Sequence, residues 1–113
     1  MSYKVGQSLL GSINFTDGET PAYNRPYLIV KVSDKSVGIL NVSSTKGKEH
    51  KLLFPKNYSL KCFNPPFKKE SFIKLDSYTE ISITEANRMI KLSGGELLND
   101  VDLEFILDNF DKK

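Results

Sequence analysis

The fold is decided by the stretch Arg25-Pro26-Tyr27-Leu28-Ile29-Val30-Lys31-Val32, the most β-prone run in the sequence. Pro26 suits the first position of a strand because it lacks an N–H and has a fixed φ. The residues behind it predict a strand over 27–32, with one face made of Leu28, Val30 and Val32 and the other of Tyr27, Ile29 and Lys31. Residues 33–36 read as a turn and residues 37–42 as the return strand, so this segment predicts a β-hairpin.

The two ends of this hairpin carry the most suggestive chemistry in the sequence. Arg25 stands at the entrance, and the hydroxyl cluster Ser43-Ser44-Thr45 stands at the exit. Because the ends of an antiparallel pair come together, the guanidinium and these hydroxyls are expected to converge.

Length and composition predict one domain, covering residues 1–113. No apolar run approaches the roughly 18 residues that a membrane span needs, and the first residues lack the apolar segment of a signal peptide. Cys62 is the one cysteine, which leaves no disulfide framework and no cysteine metal site within one chain. We therefore expect a cytoplasmic protein with no membrane partner.

The net charge is only +2, but it is unevenly distributed. Residues 46–74 hold eight lysines against two glutamates, whereas residues 96–113 hold six acids against two lysines. The basic segment could bind a polyanion through phosphate contacts and base stacking. The alternative is a solvated lysine-rich loop whose aromatic residues belong to the core. The aromatic residues in question are Phe54, Tyr58, Phe63, Phe67 and Phe72.

The rest of the chain predicts short strands, polar loops and one closing helix. Strands are expected over 7–15, 51–54, 71–75, 78–83 and 88–92, with loops over 16–24 and 57–69 and a single helical turn within 84–89. A helix is expected to begin at Asn99 or Asp100 and to end near Phe110, with acids in its first turn. This order indicates a mainly β (α+β) protein, a small, strongly bent barrel or sandwich with a C-terminal helix.

These residues resemble the MazF/PemK-type toxins of bacterial type II toxin–antitoxin systems. The resemblance rests on Arg25-Pro26 with the aliphatic strand behind it and on a return strand that ends in a hydroxyl residue. The later order agrees, with a strand at Phe72-Ile73-Lys74-Leu75-Asp76, a weak segment around Arg88-Met89-Ile90 and a terminal helix. It implies an SH3-like barrel that works as a homodimer, with single-stranded RNA in a groove at the dimer face. It also implies a cognate antitoxin, no cofactor and no metal, and sequence-specific, metal-independent cleavage of mRNA.

The resemblance also implies site residues. The catalytic arginine of the Arg-Pro motif is Arg25, and the position of the catalytic threonine is taken by Ser43, with Ser44 as the alternative hydroxyl. The residues expected to bind substrate are Thr16, Asp17, Asn24, Ser44, Lys46, Lys48, His50 and Ser77. This sequence departs from the family pattern at two places. Val5-Gly6-Gln7 stands where the family often has an Arg-Gly-Asp-like start, and Ser77 and Thr79 stand where a Gln and an Arg are common.

The chemistry can be argued from the residues alone. Metal-free RNA cleavage lets the 2′-OH attack the adjacent phosphorus, so the site must stabilise charge on the phosphate oxygens. A guanidinium offers a rigid fork that matches a phosphate, and a nearby hydroxyl adds a further hydrogen bond. Arg25 and Ser43 supply these groups, while the general base stays open between His50 and an unidentified group. The alternative for Arg25 is a surface ion pair with Asp17 or Glu19.

Two other classes of function remain open. One is a gyrase-poisoning toxin of the CcdB kind on a similar barrel. The other is a non-catalytic SH3-like interaction module. Neither needs the pairing of an arginine with a hydroxyl, which therefore favours the nuclease.

The C-terminal helix is expected to carry two apolar stripes. One stripe should pack on the barrel and contains Leu103, Ile106, Leu107 and Phe110. The opposite stripe contains Leu98, Val101 and Phe105, and a rimmed apolar patch of this kind predicts the homodimer contact. The alternative is a helix wedged into its own barrel with both stripes buried.

Overall fold

The computed structural model describes residues 2–12 and 24–111. The strands are β1 (Ser8–Gly11), β2 (Arg25–Val32), β3 (Ser36–Ser44), β4 (Asn57–Ser59), β5 (Ser71–Lys74), β6 (Thr79–Ser82) and β7 (Ile90–Lys91). The α-helices are α1 (Ile83–Ala86) and α2 (Asp100–Asn109), and 3₁₀ helices span Glu49–Leu53 and Leu92–Gly95. None of the helices among these residues is long and apolar enough to cross a membrane. The prediction of a mainly β, α+β protein with a C-terminal helix is confirmed.

Strand β3 organises the sheet, whose strands run β4-β5-β3-β2-β1-β7 with β6 also paired to β3. The predicted hairpin is confirmed, since β2 and β3 pair antiparallel with Tyr27 opposite Asn41. Both strands are longer than predicted, because β2 begins at Arg25 and β3 continues to Ser44. The extra residues of β3 pair with β5, with Ser43 opposite Phe72. The hydroxyl cluster therefore begins inside a strand rather than in a loop.

Both faces of this sheet are buried, in two separate apolar cores. The helix face carries the core that α2 covers, and its strand residues include Leu28, Val30, Leu40, Val42 and Ile73. The tyrosine face carries the second core, which includes Leu9, Tyr27, Ile29, Val37, Ile39 and Ile81. The predicted alternation is therefore confirmed for residues 27–30. It is wrong for Val32, because the register shifts between Ile29 and Lys31 and leaves Val32 opposite Val37 with 39% of its surface exposed.

Helix α2 begins as predicted, with the Asn99 side chain accepting a hydrogen bond from the Asp102 backbone N–H at 2.9 Å. The stripe expected to face the sheet is confirmed, since Ile106 is fully buried and Leu103, Leu107 and Phe110 pack against the helix-face core. Leu98 was wrongly placed on the outer stripe. It precedes the Asn99 cap, so the helical periodicity does not reach it, and its side chain is 1% exposed in the core.

The outer stripe of α2 is therefore limited to Val101 and Phe105, which are 69% and 43% exposed. The Phe105 ring stacks on Tyr58 of β4 with its centroid 4.3 Å away. Phe105 thus packs partly on its own chain while an aromatic edge stays open to solvent. A small apolar patch remains where the sequence predicted a larger one.

The basic segment differs most from its prediction. The strand expected over 51–54 is wrong, because these residues belong to the 3₁₀ helix Glu49–Leu53 and its end. Successive backbone bonds from Lys51 N to Lys48 O and from Phe54 N to Lys51 O wind the chain there. The loop expected over 57–69 contains β4, which forms because its edge pairs with β5 and places Tyr58 opposite Ile73.

Three smaller elements follow their predictions approximately. Strand β1 ends at Gly11, and residues 13–15 of the predicted strand lie outside the described part of the chain. The single turn is α1, started by the Ser82 side chain, which accepts a hydrogen bond from Glu85 N at 3.0 Å. The last strand is only the two residues of β7, which pair with β1.

Candidate anion-binding site

Arg25 and Ser43 lie on the same face of the sheet. Tyr27 is opposite Asn41, and side chains two residues further along each strand return to the same face. Arg25 on β2 and Ser43 on β3 therefore both belong to the tyrosine face, and both are partly buried. Ser44 points to the helix face and pairs with Ser71. The strand register thus separates the two candidate hydroxyls and puts Ser43 on the side of the arginine.

Lys74 joins this face from β5. Phe72 is opposite Ser43, so Lys74, two residues further, lies on the tyrosine face and is partly buried. Its partner on β4 is Asn57, whose side-chain amide donates a hydrogen bond to the Lys51 carbonyl at 2.9 Å. This contact ties the 3₁₀ helix Glu49–Leu53 to the edge of the sheet beside Lys74.

The pKa of Lys74 is shifted by burial and by the charges of other side chains. Burial lowers the pKa of Lys74, and the positive charges of Lys51, Arg25 and Lys48 lower it further, while Asp76 acts in the opposite direction. We call Arg25, Lys48, Lys51 and Lys74 the basic cluster. The ion pairs between described residues are Lys31–Glu80 and Lys56–Asp111, and neither of them includes Lys48, Lys51 or Lys74. Cations held together in this way favour the binding of an anion.

Tyr27 lies on the same face as Arg25, two residues further along β2. Its side chain is 1% exposed, and its hydroxyl oxygen is buried without a hydrogen-bond partner among the described residues. Burial raises the pKa of Tyr27, and the charge of Arg25 opposes that shift. The hydroxyl is therefore protonated at neutral pH and lies within reach of the electric field of Arg25.

The other residues expected to bind substrate are dispersed. Thr16 and Asp17, and the possible ion-pair partner Glu19, lie outside the described residues. Asn24 is exposed and lines a separate cavity near Arg88 and Met89.

Ser77 connects neighbouring parts of the backbone. Its hydroxyl accepts a hydrogen bond from Asn41 N at 2.8 Å and donates one to the carbonyl of Lys74 at 2.6 Å. Both partners of the hydroxyl are backbone groups of this chain. Ser77 therefore helps to hold β3 against the end of β5, where Lys74 is located.

Two more predicted residues lie in a different cavity. Ser44 and Lys46 line a cavity of about 550 Å³ together with Thr45, Glu49 and Lys69. Lys48 belongs to the basic cluster, and His50 is exposed on the same 3₁₀ helix as Lys51. The structure therefore places Arg25 and Ser43 on one face of the sheet, and Ser44 and Lys46 in a separate cavity.

The aromatic residues of the basic segment are mostly core residues. Phe67 and Phe72 are buried, while Tyr58 and Phe63 pack against the helix-face core. Phe54 is the exception, with 56% of its surface exposed directly after the 3₁₀ helix that carries Lys51. The alternative of a structural role is thus confirmed for Phe67 and Phe72, and Phe54 offers an aromatic surface beside the basic cluster.

The sequence reasoning missed Lys51, Lys74 and Tyr27 as site residues. Alternation within 71–75 could have separated Lys74 from Ile73, but only the β3–β5 register places it near Ser43. Lys51 was assigned to a strand, and Tyr27 was treated as a plain strand residue. Within the described ranges, no group of three His, Cys, Asp or Glu side chains could hold a metal ion. No protein-family model matches this chain, and a search of curated proteins also finds no match.

Proposed function

We propose that this chain is a sequence-specific, metal-independent endoribonuclease that cleaves single-stranded mRNA, the toxin of a type II toxin–antitoxin pair of the MazF/PemK type. The observation that carries the proposal is the basic cluster, in which the charges of Lys51, Arg25 and Lys48 act on Lys74 while Arg25 and Lys74 share one face of the sheet with Ser43. A phosphodiester is the anion that such a set of donors suits. A cognate antitoxin, a homodimer and a cytoplasmic location belong to the same proposal.

The sheet supports the SH3-like barrel that the proposal requires. One edge of β3 is shared by two strands, since residues 36–39 pair with β6 and residues 42–44 pair with β5. A strand whose edge passes from one partner to another lies where a sheet bends. Bending at this point fits a small barrel, with the basic cluster at the end where β2 enters and β3 leaves.

The reaction would use these groups on one phosphate. Arg25 binds two of its oxygens, and Ser43 donates a hydrogen bond to an oxygen on which charge develops. The 2′-oxygen loses its proton to a base and forms a bond to phosphorus, while the bond from phosphorus to the 5′-oxygen breaks. The 5′-oxygen takes up a proton, for which the Lys74 ammonium is the assigned donor. The products are a 2′,3′-cyclic phosphate and a 5′-hydroxyl.

Lys74 suits this role because its lowered pKa makes the ammonium a better acid than an exposed lysine. The proposal uses Arg25 to bind the phosphate and Lys74 as the acid, so the base has to be another group. His50, exposed one residue before Lys51, is the side chain that we assign for testing.

The test is cleavage of a long single-stranded RNA by the purified protein in EDTA, with the product ends analysed. We expect cyclic-phosphate ends from the wild-type protein and loss of cleavage, with the fold retained, in Arg25→Ala. Lys35→Met is the matched control, because Lys35 is an exposed residue at the far turn of the hairpin. Cleavage by Arg25→Ala at the wild-type rate would remove Arg25 from the reaction. A wild-type protein that leaves RNA intact would favour the gyrase-poisoning or interaction-module alternatives.

A further inference from the structure

Tyr27 carries a hydroxyl that forms no hydrogen bond with the described part of the chain. The other tyrosines of the described chain donate to acceptors, Tyr3 to Asn87, Tyr58 to Asp102 and Tyr78 to Glu80, at 2.5 to 2.8 Å. The Tyr27 hydroxyl oxygen is buried without a partner among residues 2–12 and 24–111, although its ring is packed in the tyrosine-face core. A buried donor without an acceptor costs free energy that a phenylalanine at the same place would avoid. The hydroxyl is therefore a candidate for a functional group.

The position of Tyr27 indicates which ligand the hydroxyl would meet. Tyr27 is two residues from Arg25 on the same strand and the same face, and opposite Asn41, two residues from Ser43. The charge of Arg25 acts on the phenol, while burial keeps the phenol protonated and therefore a hydrogen-bond donor. A donor on the same face of the sheet as a guanidinium and a serine hydroxyl complements an oxyanion.

We propose that the Tyr27 hydroxyl is a further ligand-binding group, which donates a hydrogen bond to an oxygen of the phosphodiester bound by Arg25 and Ser43. The inference rests on the proposed function for the identity of the ligand. It adds a third hydrogen-bond donor to the phosphate that Arg25 and Ser43 bind. No bond to Tyr27 forms or breaks in the reaction. The phenol orients the phosphate and strengthens its hydrogen bond as charge develops on the oxygen.

The experiment compares Tyr27→Phe with the wild-type protein in binding, cleavage and stability. The binding probe is a single-stranded 2′-O-methyl RNA oligonucleotide, which lacks the attacking 2′-OH and stays intact. We expect Tyr27→Phe to bind it roughly 10-fold more weakly and to cleave unmodified RNA about 10²-fold more slowly, as for a lost oxyanion donor. We also expect its resistance to urea to be equal or greater, because the unpartnered hydroxyl is gone.

Tyr78→Phe is the matched control. Tyr78 is also a buried strand-region tyrosine, but its hydroxyl donates to Glu80 and its ring stacks on Phe110 in the helix-face core. This variant should lose stability and keep the affinity of the wild-type protein. The opposite pattern in the two variants is what separates a functional hydroxyl from a structural one.

Several results would overturn the inference. Unchanged affinity in Tyr27→Phe would do so, and so would a loss of stability or of the fold in that variant, because the hydroxyl would then be structural. A wild-type protein that does not bind the probe would also contradict it. If the wild-type protein binds the probe and Tyr27→Phe binds it more weakly, but unmodified RNA stays intact, the proposed nuclease function fails and the phosphate site stands.

Discussion

Asp102 is the charged residue whose removal should damage the fold most. It lies in the first turn of α2 and is fully buried. One carboxylate oxygen accepts from the Tyr58 hydroxyl at 2.6 Å. The other accepts from the backbone N–H groups of Lys61 and Cys62 at 3.0 Å each and from the Asn99 amide at 2.8 Å. Asp102 thus binds the start of the helix to β4 and to the chain that follows β4.

The perturbation is Asp102→Asn, which keeps the shape and removes the charge. A hydrogen bond to a charged group contributes about 1.5–3 kcal/mol and one between neutral groups about 0.5–1.5 kcal/mol. The asparagine side chain has one acceptor oxygen, whereas the donors around Asp102 now bind two carboxylate oxygens. Its amide N–H₂ group would face at least one of these donors, with which it cannot form a hydrogen bond. We therefore expect the free energy of unfolding at neutral pH to fall by roughly 2–4 kcal/mol. For a domain of this size the melting temperature should fall by about 10 °C.

The pKa of Asp102 predicts how its contribution to stability changes with pH. Burial alone raises the pKa of Asp102, but the hydrogen bonds from Tyr58, Asn99, Cys62 and Lys61 outweigh it, and the pKa in the folded protein is lowered. A lowered pKa means that the carboxylate stabilises the fold above its unfolded pKa of about 3.9, and that this stability is lost as pH falls through the folded-state value. Burial, together with the hydrogen bond to Asp102, raises the pKa of Tyr58 to about 12.

The assay is urea unfolding of the wild-type protein and the variant at pH 7 and at a series of lower values. The difference in free energy should be full at pH 7 and should begin to close below about pH 4. Asp108→Asn is the matched control, because Asp108 is exposed on the same helix, and it should change stability by less than about 0.5 kcal/mol. An equal loss in both variants, or a difference that stays constant in acid, would refute the reasoning.

Three further predictions concern the site and the helix. Ser43→Ala should slow RNA cleavage roughly 10²-fold, while Ser44→Ala should leave it unchanged; the reverse result in a cleavage assay would contradict the assignment of faces. Phe54→Ala should weaken binding of single-stranded RNA by about 1–3 kcal/mol in fluorescence anisotropy if a base stacks there, and unchanged affinity would rule out that contact. Phe105→Glu should give a folded monomer in sedimentation, with circular dichroism as the check; a persisting dimer would exclude this helix face as the interface, and loss of the fold would show that the stacking on Tyr58 is needed within one chain.

The hairpin and α2 were predictable because local chemistry determines them. Alternation, the proline and the turn residues specify β2 and β3, and Asn99 marks the start of the helix. The predictions that were wrong concern features that depend on contacts with residues distant in the sequence. Strand β4 exists because β5 pairs with it, and the helical wheel misplaced Leu98 because the pattern says nothing about where the chain enters the core.

The candidate site was likewise predictable only where the local sequence determines it. Arg25 and a hydroxyl near the end of β3 were identified from the hairpin alone. The choice between Ser43 and Ser44 requires the exact strand length and register, since a shift of one residue exchanges the two faces. Lys74 joins the site through a pairing between strands some thirty residues apart in the chain, which no local pattern indicates.

The face of the sheet on which α2 packs determines whether a dimer formed through this helix could include Arg25. Arg25 and Lys74 lie on the tyrosine face, whereas α2 packs on the helix face and directs Val101 and Phe105 away from it. A dimer formed through α2 would therefore leave each Arg25 outside the interface. An RNA groove at the dimer face, which the resemblance implies, would need a different contact. The folded monomer produced by Phe105→Glu decides between these arrangements, because it should cleave like the wild-type protein if α2 is the interface and each phosphate site is complete in one chain.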